Sequence, residues 1–131
     1  MKKTLLLNAA LSHAIARLGH GDMIVVADAG LPVPEGSPCI DLALIPGIPG
    51  CLQVLRAISS EMQIERAVVA SDVHARCSTM RAGFGAELPG VPIEEVSHAA
   101  LETLTSRAAA IVRTGEFTPY SNIVLIAGVV F

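Results

Sequence analysis

The stretch "LGHGDMIVVADAG" sets His20 just before an apolar run and Asp28 at the run's last position. Histidine gives and regains a proton near neutrality because its unperturbed pKa is about 6.5. A carboxylate that ends a strand buried on both faces is costly unless it is paired or opens into a cleft. Together they are the material of general acid–base catalysis. His98 follows a helix-capping Ser97. Tyr120 and Asn122 stand in "GEFTPYSN", a proline-containing turn before the last apolar run, where a phenol and an amide can hydrogen-bond a polyhydroxylated ligand. Each also has a plainer reading. His20 fits a solvated helix-stop residue, Asp28 a loop aspartate and His98 a solvated helix end, while Asn122 fits a turn former beside a packing tyrosine. Position alone leaves both readings open.

Signatures of other chemistries are missing. The sequence has no G-x-x-x-x-G-K-[ST], no G-x-G-x-x-G opening a helix after a strand, and no G-x-S-x-G. Phosphoryl transfer, hydride transfer and serine hydrolysis lose support accordingly. The histidines at 13, 20, 74 and 98 lack ligand spacing, and Cys39, Cys51 and Cys77 form no C-x-x-C. No metal and no cofactor is therefore expected, and a cytoplasmic, reducing location is. A net charge of -3 with both signs scattered offers no surface for nucleic acid. One tyrosine, three phenylalanines and no tryptophan leave few platforms for a large ligand. A small ligand is expected.

The elements that must position these residues follow from periodicity. Asn8 caps a helix expected from Ala9 to Leu18, with Gly19 as its left-handed stop. "MIVVAD" (23–28) reads as a doubly covered strand, "GLPVPEGSP" as a loop and "IDLAL" (40–44) as a second strand. A helix is expected over 51–60, a strand over 66–71, a helix from about Val73 carrying Gly83 and Gly85 near its end, and a strand over 91–96. Ser97 then caps a helix whose inward stripe is Leu101, Leu104, Ala108, Ile111 and Val112 and which Gly115 ends. "NIVLIAGVVF" is the last strand. Helices alternating with apolar strands predict a single α/β domain over 1–131, a three-layer α/β/α arrangement with a mainly parallel central sheet. In such sheets ligands gather beyond the carboxyl ends of the strands, the edge at which Asp28 falls.

The 131 residues are 52% apolar and only 16% charged. No run approaches the ~18 apolar residues of a membrane span, so the surplus points to a homo-oligomer. The opening "MKKTLLLNAALSHAIA" imitates a secretory signal, but Asn8, Ser12 and His13 interrupt its apolar core, and an amphipathic first helix is expected instead.

"LGHGD" with "DAGLP", then "EMQIERAVVAS", then "IVRTGEFTPYSNIVLIAGV" resemble the D-ribose pyranase and L-fucose mutarotase family across nearly the whole chain. "DAGLPVP" and "VPIEEVSH" lean to its ribose branch, whereas the G-H-G-D form also occurs in its fucose branch. The resemblance implies His20 as proton donor and Asp28, His98, Tyr120, Ser121 and Asn122 as sugar contacts. It further implies a ring-shaped decamer with sites between subunits, and a free monosaccharide, D-ribose foremost, as substrate. Alternatives from the same resemblance are L-fucose or another monosaccharide. A non-catalytic sugar-binding ring is the alternative from another class. Glu102 departs from the pattern, since several members carry lysine four residues after the histidine that matches His98.

Ring interconversion of a free sugar needs a proton given to the ring oxygen while one leaves the anomeric hydroxyl, and it asks for no metal or nucleotide. An extended run from 22 to 28 separates His20 and Asp28 by on the order of 20 Å, too far for both to grip one pentose. Either a second subunit brings the two together, or the backbone folds sharply at Gly21 and Asp22.

Overall fold

The run "MIVVA" has no polar face, and in the computed structural model, which describes residues 1–131, it forms β1 (Met23–Ala27), buried from Ile24 onward. β6 (Ile123–Ala127) is buried throughout, β5 (Ala110–Arg113) nearly so, and β3 (Ile64–Ala70) from Ala67 onward. The short strands β2 (Cys39–Asp41) and β4 (Ile93–Val96) form the two edges of a six-stranded sheet of order β2-β5-β1-β6-β3-β4. β2, β5 and β1 are mutually parallel, as are β3 and β4. Only β6 runs the other way, antiparallel to β1 and β3.

Alternate side chains of each strand serve opposite faces, as the pleat dictates. Ile24 and Val26 join a large apolar cluster with Leu11, Leu55 and Phe84, supplied by α1 (Ala9–Ala16), α2 (Cys51–Ser59) and α4 (Ser78–Glu87). The short α3 (Ser71–Arg76) adds Val73 to it. Val25 and Ala27 join a smaller cluster with Leu31 and with Leu101 of α5 (His98–Thr105) on the other face. Helices on both faces of a mainly parallel sheet give the α/β architecture expected from the alternation of elements.

Several boundaries differ from the sequence expectation. The helix capped by Ser97, whose side chain accepts from Ala100 N, ends at Thr105 rather than at Gly115. Ile111 and Val112 belong to β5, an inner strand between β1 and β2. A four-residue apolar run offers no period of its own, so it merged with the helical stripe before it. α1 ends at Ala16, and the left-handed residue lies further on, at Gly21 with φ 85°, not at Gly19. β2 stops at Asp41, β6 stops at Ala127, and the helix after β3 is two helices joined at the non-helical Cys77.

Two features of this sheet matter for chemistry. The carboxyl ends of β1, β3, β4 and β5 and the start of β6 share one edge. At the opposite edge β3 is bulged, with Ile64 facing Ala127 and Arg66 facing Ile126 so that Glu65 is the extra residue.

Candidate active site

A cavity of about 480 Å³ opens at the carboxyl edge, walled by the segment after β1, the loop between β5 and β6, and the start of α5. Its size suits a small ligand. Asp28, Tyr120, Asn122 and His98 all line it. The antiparallel pairing of Val26 with Ile123 is what carries the ends of β1 and β6 to the same place.

Asp28 and Asn122 hold each other. Asp28 N donates to Asn122 Oδ1 at 2.8 Å, and Asn122 Nδ2 donates to Asp28 Oδ2 at 2.9 Å. Gly30 N donates to Asp28 Oδ1 at 3.0 Å, closing a turn two residues on. Both side chains are thus fixed at low exposure, 9% for Asp28 and 2% for Asn122. Each Asp28 oxygen keeps a further lone pair for a ligand hydroxyl.

The loop from β5 to β6 is built by "TGE". Thr114 Oγ1 donates to Ala27 O at 2.8 Å and accepts from Glu116 N at 3.1 Å. At Gly115 a methyl would lie 2.5 Å from Ile48 O and 2.6 Å from Ile45 O, so only glycine fits there. Glu116 is a cavity carboxylate that sequence reasoning passed over. Its Oε1 accepts from Thr118 N at 3.1 Å and Thr118 Oγ1 at 2.8 Å, and its Oε2 accepts from Cys51 N at 3.2 Å. Burial works to raise its pKa, but the bonds from Thr118, Cys51 and Phe117 outweigh burial and hold it below the ordinary glutamate value. The signal was there in the T-G-E run, but its partner at Cys51 is visible only in three dimensions.

This loop delivers Tyr120 with φ 62°, the only residue other than glycine in the left-handed region. Such a conformation costs about 1–2 kcal/mol and persists where surroundings enforce it. The Tyr120 ring meets His98 edge-on at 5.3 Å, and the Arg76 guanidinium lies 5.3 Å from its centroid. His98 Nε2 stands 3.2 Å from Glu102 Oε1, while its Nδ1 is buried without a partner. Ser121 is fully buried. Its hydroxyl has no partner and is not part of the cavity wall, and its carbonyl accepts from Cys51 Sγ at 3.4 Å.

His20 is elsewhere. Gly21 N donates to Ala127 O at 2.8 Å and Ala127 N to Asp22 O at 2.8 Å, which fixes His20 beside the end of β6, across the sheet from Asn122. Its side chain is 60% exposed and its Nε2 is 2.6 Å from Glu65 Oε2. The turn at Gly21 therefore does not fold His20 back toward Asp28. One chain brings together Asp28, His98, Tyr120 and Asn122, and holds His20 at the far edge. Glu65, like Glu116, was not singled out from the sequence, because a bulge depends on strand register.

The model of the RbsD / FucU transport protein family matches residues 1–130. The chain is 56% identical to a D-ribose pyranase of Chloroflexus aggregans and 52% identical to one of Symbiobacterium thermophilum, in both cases over 131 residues and 100% of each chain. The structure of Bacillus subtilis RbsD complexed with D-ribose is 43% identical and superposes with a TM-score of 0.96 over 100% of both chains. A full-length match in sequence, together with the same fold, means that the chain belongs to the RbsD / FucU transport protein family.

Proposed function

We propose that this chain, as a single domain over 1–131, interconverts the pyranose and furanose forms of free D-ribose, and its anomers, by acid–base catalysis without a cofactor. The observation that carries this reading is identity above one half, over full length, to proteins named D-ribose pyranase. The fold shared with a D-ribose complex supports it.

Asp28 and Asn122 meet the sugar hydroxyls as a pre-set acceptor–amide pair, which needs no rearrangement on binding. Tyr120 and His98 add a phenol and an imidazole to the wall. Ser121, enclosed and outside that wall, is left to hold the loop through its carbonyl and Cys51 Sγ. His20 is the proton donor. It protonates the ring oxygen as the C1–O bond breaks, and the anomeric hydroxyl gives up its proton to Asp28 or water. Reclosure through a different hydroxyl reverses the transfers and yields the other ring form.

Because β1 separates His20 from Asp28 by about 20 Å, the donor comes from a second copy of the chain. Leu44, Ile45, Ile48 and Phe117 support this. They are more than half exposed beside a cavity that Phe117 itself walls, a ledge suited to burial by a neighbour. A closed ring of subunits, a decamer in this reading, repeats that contact head to tail. All three cysteines are free, which suits the cytoplasm. No helix is long and apolar enough to cross a membrane.

Saturation-transfer NMR on equilibrated D-ribose and L-fucose tests the activity. Faster exchange between ribose ring forms, exceeding any effect on fucose, is the expected result. Binding of ribose without faster exchange would leave a sugar-binding ring and no enzyme.

A further inference from the structure

The cavity wall has a support outside it. Tyr120 is the chain's only tyrosine, and it holds a left-handed backbone conformation that persists only where its surroundings enforce it. The loop supplies part of that enforcement, through Thr114 and the Glu116 bonds to Thr118. The ring has a separate hold. β3 ends at Ala70 on the sheet edge that carries the cavity, and α3 follows it directly. Val73 is buried beneath α3, and His74 Nδ1 stands 3.0 Å from Glu95 Oε1 of β4, which ties this helix to the sheet. Its last residue, Arg76, then falls over the Tyr120 ring, with the guanidinium carbon 5.3 Å from the centroid. Within ~6 Å a guanidinium is drawn to the negative face of an aromatic ring. No hydrogen bond of the chain engages that group, since its carboxylate neighbour, Asp72, is 3.9 Å away. The imidazole of His98 meets the same ring edge-on and is itself held through Nε2 by Glu102. Tyr120 is thus gripped from α3 and from α5.

We infer that Arg76 is a positioning residue of the sugar site, which acts through the face of Tyr120 to hold the phenol hydroxyl where a ribose hydroxyl meets it. This rests on the reading of Tyr120 as a sugar contact. A phenol hydroxyl lies at the far end of its ring from the backbone, so a small rotation about the Cα–Cβ bond sweeps it across the cavity. A cation over the ring face limits that rotation before the sugar arrives, and less freedom is then lost on binding. The guanidinium suits this task better than an ammonium, because it is planar, weakly hydrated and stacks on aromatic faces. Arg76 does not line the cavity, so its action on the sugar passes through the phenol. The effect belongs to affinity and not to proton transfer, since a hydroxyl away from the reacting bond is held equally in ground and transition states.

The test is a double-mutant cycle on the intact assembly, with ribose affinity read by NMR titration and kcat by ring exchange. Arg76→Met keeps a long, unbranched stem without the charge. It is expected to weaken ribose binding about 2- to 5-fold, the effect of an exposed cation over a ring, with kcat within about twofold. Arg76→Lys, which keeps the cation, recovers part of the affinity. Tyr120→Phe keeps the ring and loses the hydroxyl, so adding Arg76→Met to it should weaken binding no further. An equal loss from Arg76→Met in both backgrounds overturns the inference, because the guanidinium then acts by another route. So does an unchanged affinity in Arg76→Met while Tyr120→Phe binds ribose less tightly, an outcome that leaves Tyr120 as a sugar contact. Unaltered affinity in Tyr120→Phe overturns that reading and the inference with it.

Discussion

Asp28 and Asn122 stand 94 positions apart in sequence, yet each supplies what the other needs, Asp28 an acceptor for a side-chain amide and Asn122 an acceptor for a backbone N–H. Asn122→Ala strands two buried groups at once. It should cost about 1–3 kcal/mol of folding stability, measured by denaturant unfolding, and raise KM for ribose because Asp28 loses its tether. The proposed role of His20 as proton donor predicts that His20→Ala lowers kcat by about 100- to 10,000-fold with ribose binding retained in an NMR titration, because such a group acts in the transition state. Asp28, His98, Tyr120 and Asn122 each have a plain structural reading from position, and the family resemblance is what singles them out; the structure adds that all four line one cavity. Glu65 and Glu116 were not singled out, because a carboxylate in a strand or loop carries no sign of what it faces. Glu65 owes its direction to a bulge, and Glu116 to the Cys51 N–H across 65 positions.

The elements themselves followed from apolar period wherever a run was long or bounded by turn residues. β1, α2, β3 and β6 appear where alternation of helices and buried strands put them. The failure between 98 and 115 has a physical cause. α5 and β5 are both short and both apolar on the side that faces the core, and Arg107, Ala108 and Ala109 between them break neither pattern. Ser97 marked the true start of α5, and Ser97→Ala should remove about 1 kcal/mol of stability through the lost bond to Ala100 N. Gly115 belongs to a loop. It does not stop a helix, but lets the loop after β5 pass against the carbonyls of Ile45 and Ile48. Gly115→Ala should destabilise by about 1–3 kcal/mol, the ordinary cost of overpacking, and should disturb ribose binding by shifting Glu116 and Tyr120.

For the molecule as a whole, several carboxyls are held below their ordinary values by partners: Asp41 by Arg113, Glu61 by Thr4 and Lys2, Glu87 by Arg56, and Glu95 by His74 and Arg81. At Glu116 the hydrogen bonds prevail over burial. Each takes up its proton less readily folded than unfolded, so its contribution is complete above its ordinary value, 4.5 for the glutamates and 3.8 for Asp41, and is lost as pH falls through the lowered one. The melting temperature should therefore hold above about pH 5 and decline steadily below it, with salt weakening the contribution of the exposed pairs. The apolar surplus visible in the composition finds part of its outlet in Leu44, Ile45, Ile48 and Phe117. The sequence could signal that surplus but not its location, because exposure is decided by which loops meet. A site completed by two copies of the chain has one direct test. His20→Ala and Asp28→Ala variants, each inactive alone, are to be co-expressed or refolded together and assayed for ribose ring exchange. Random mixing should restore about a quarter of the sites, those that pair an intact His20 from one chain with an intact Asp28 from its neighbour. Mixed assemblies that form but stay as inactive as the separate variants would contradict a site shared between subunits.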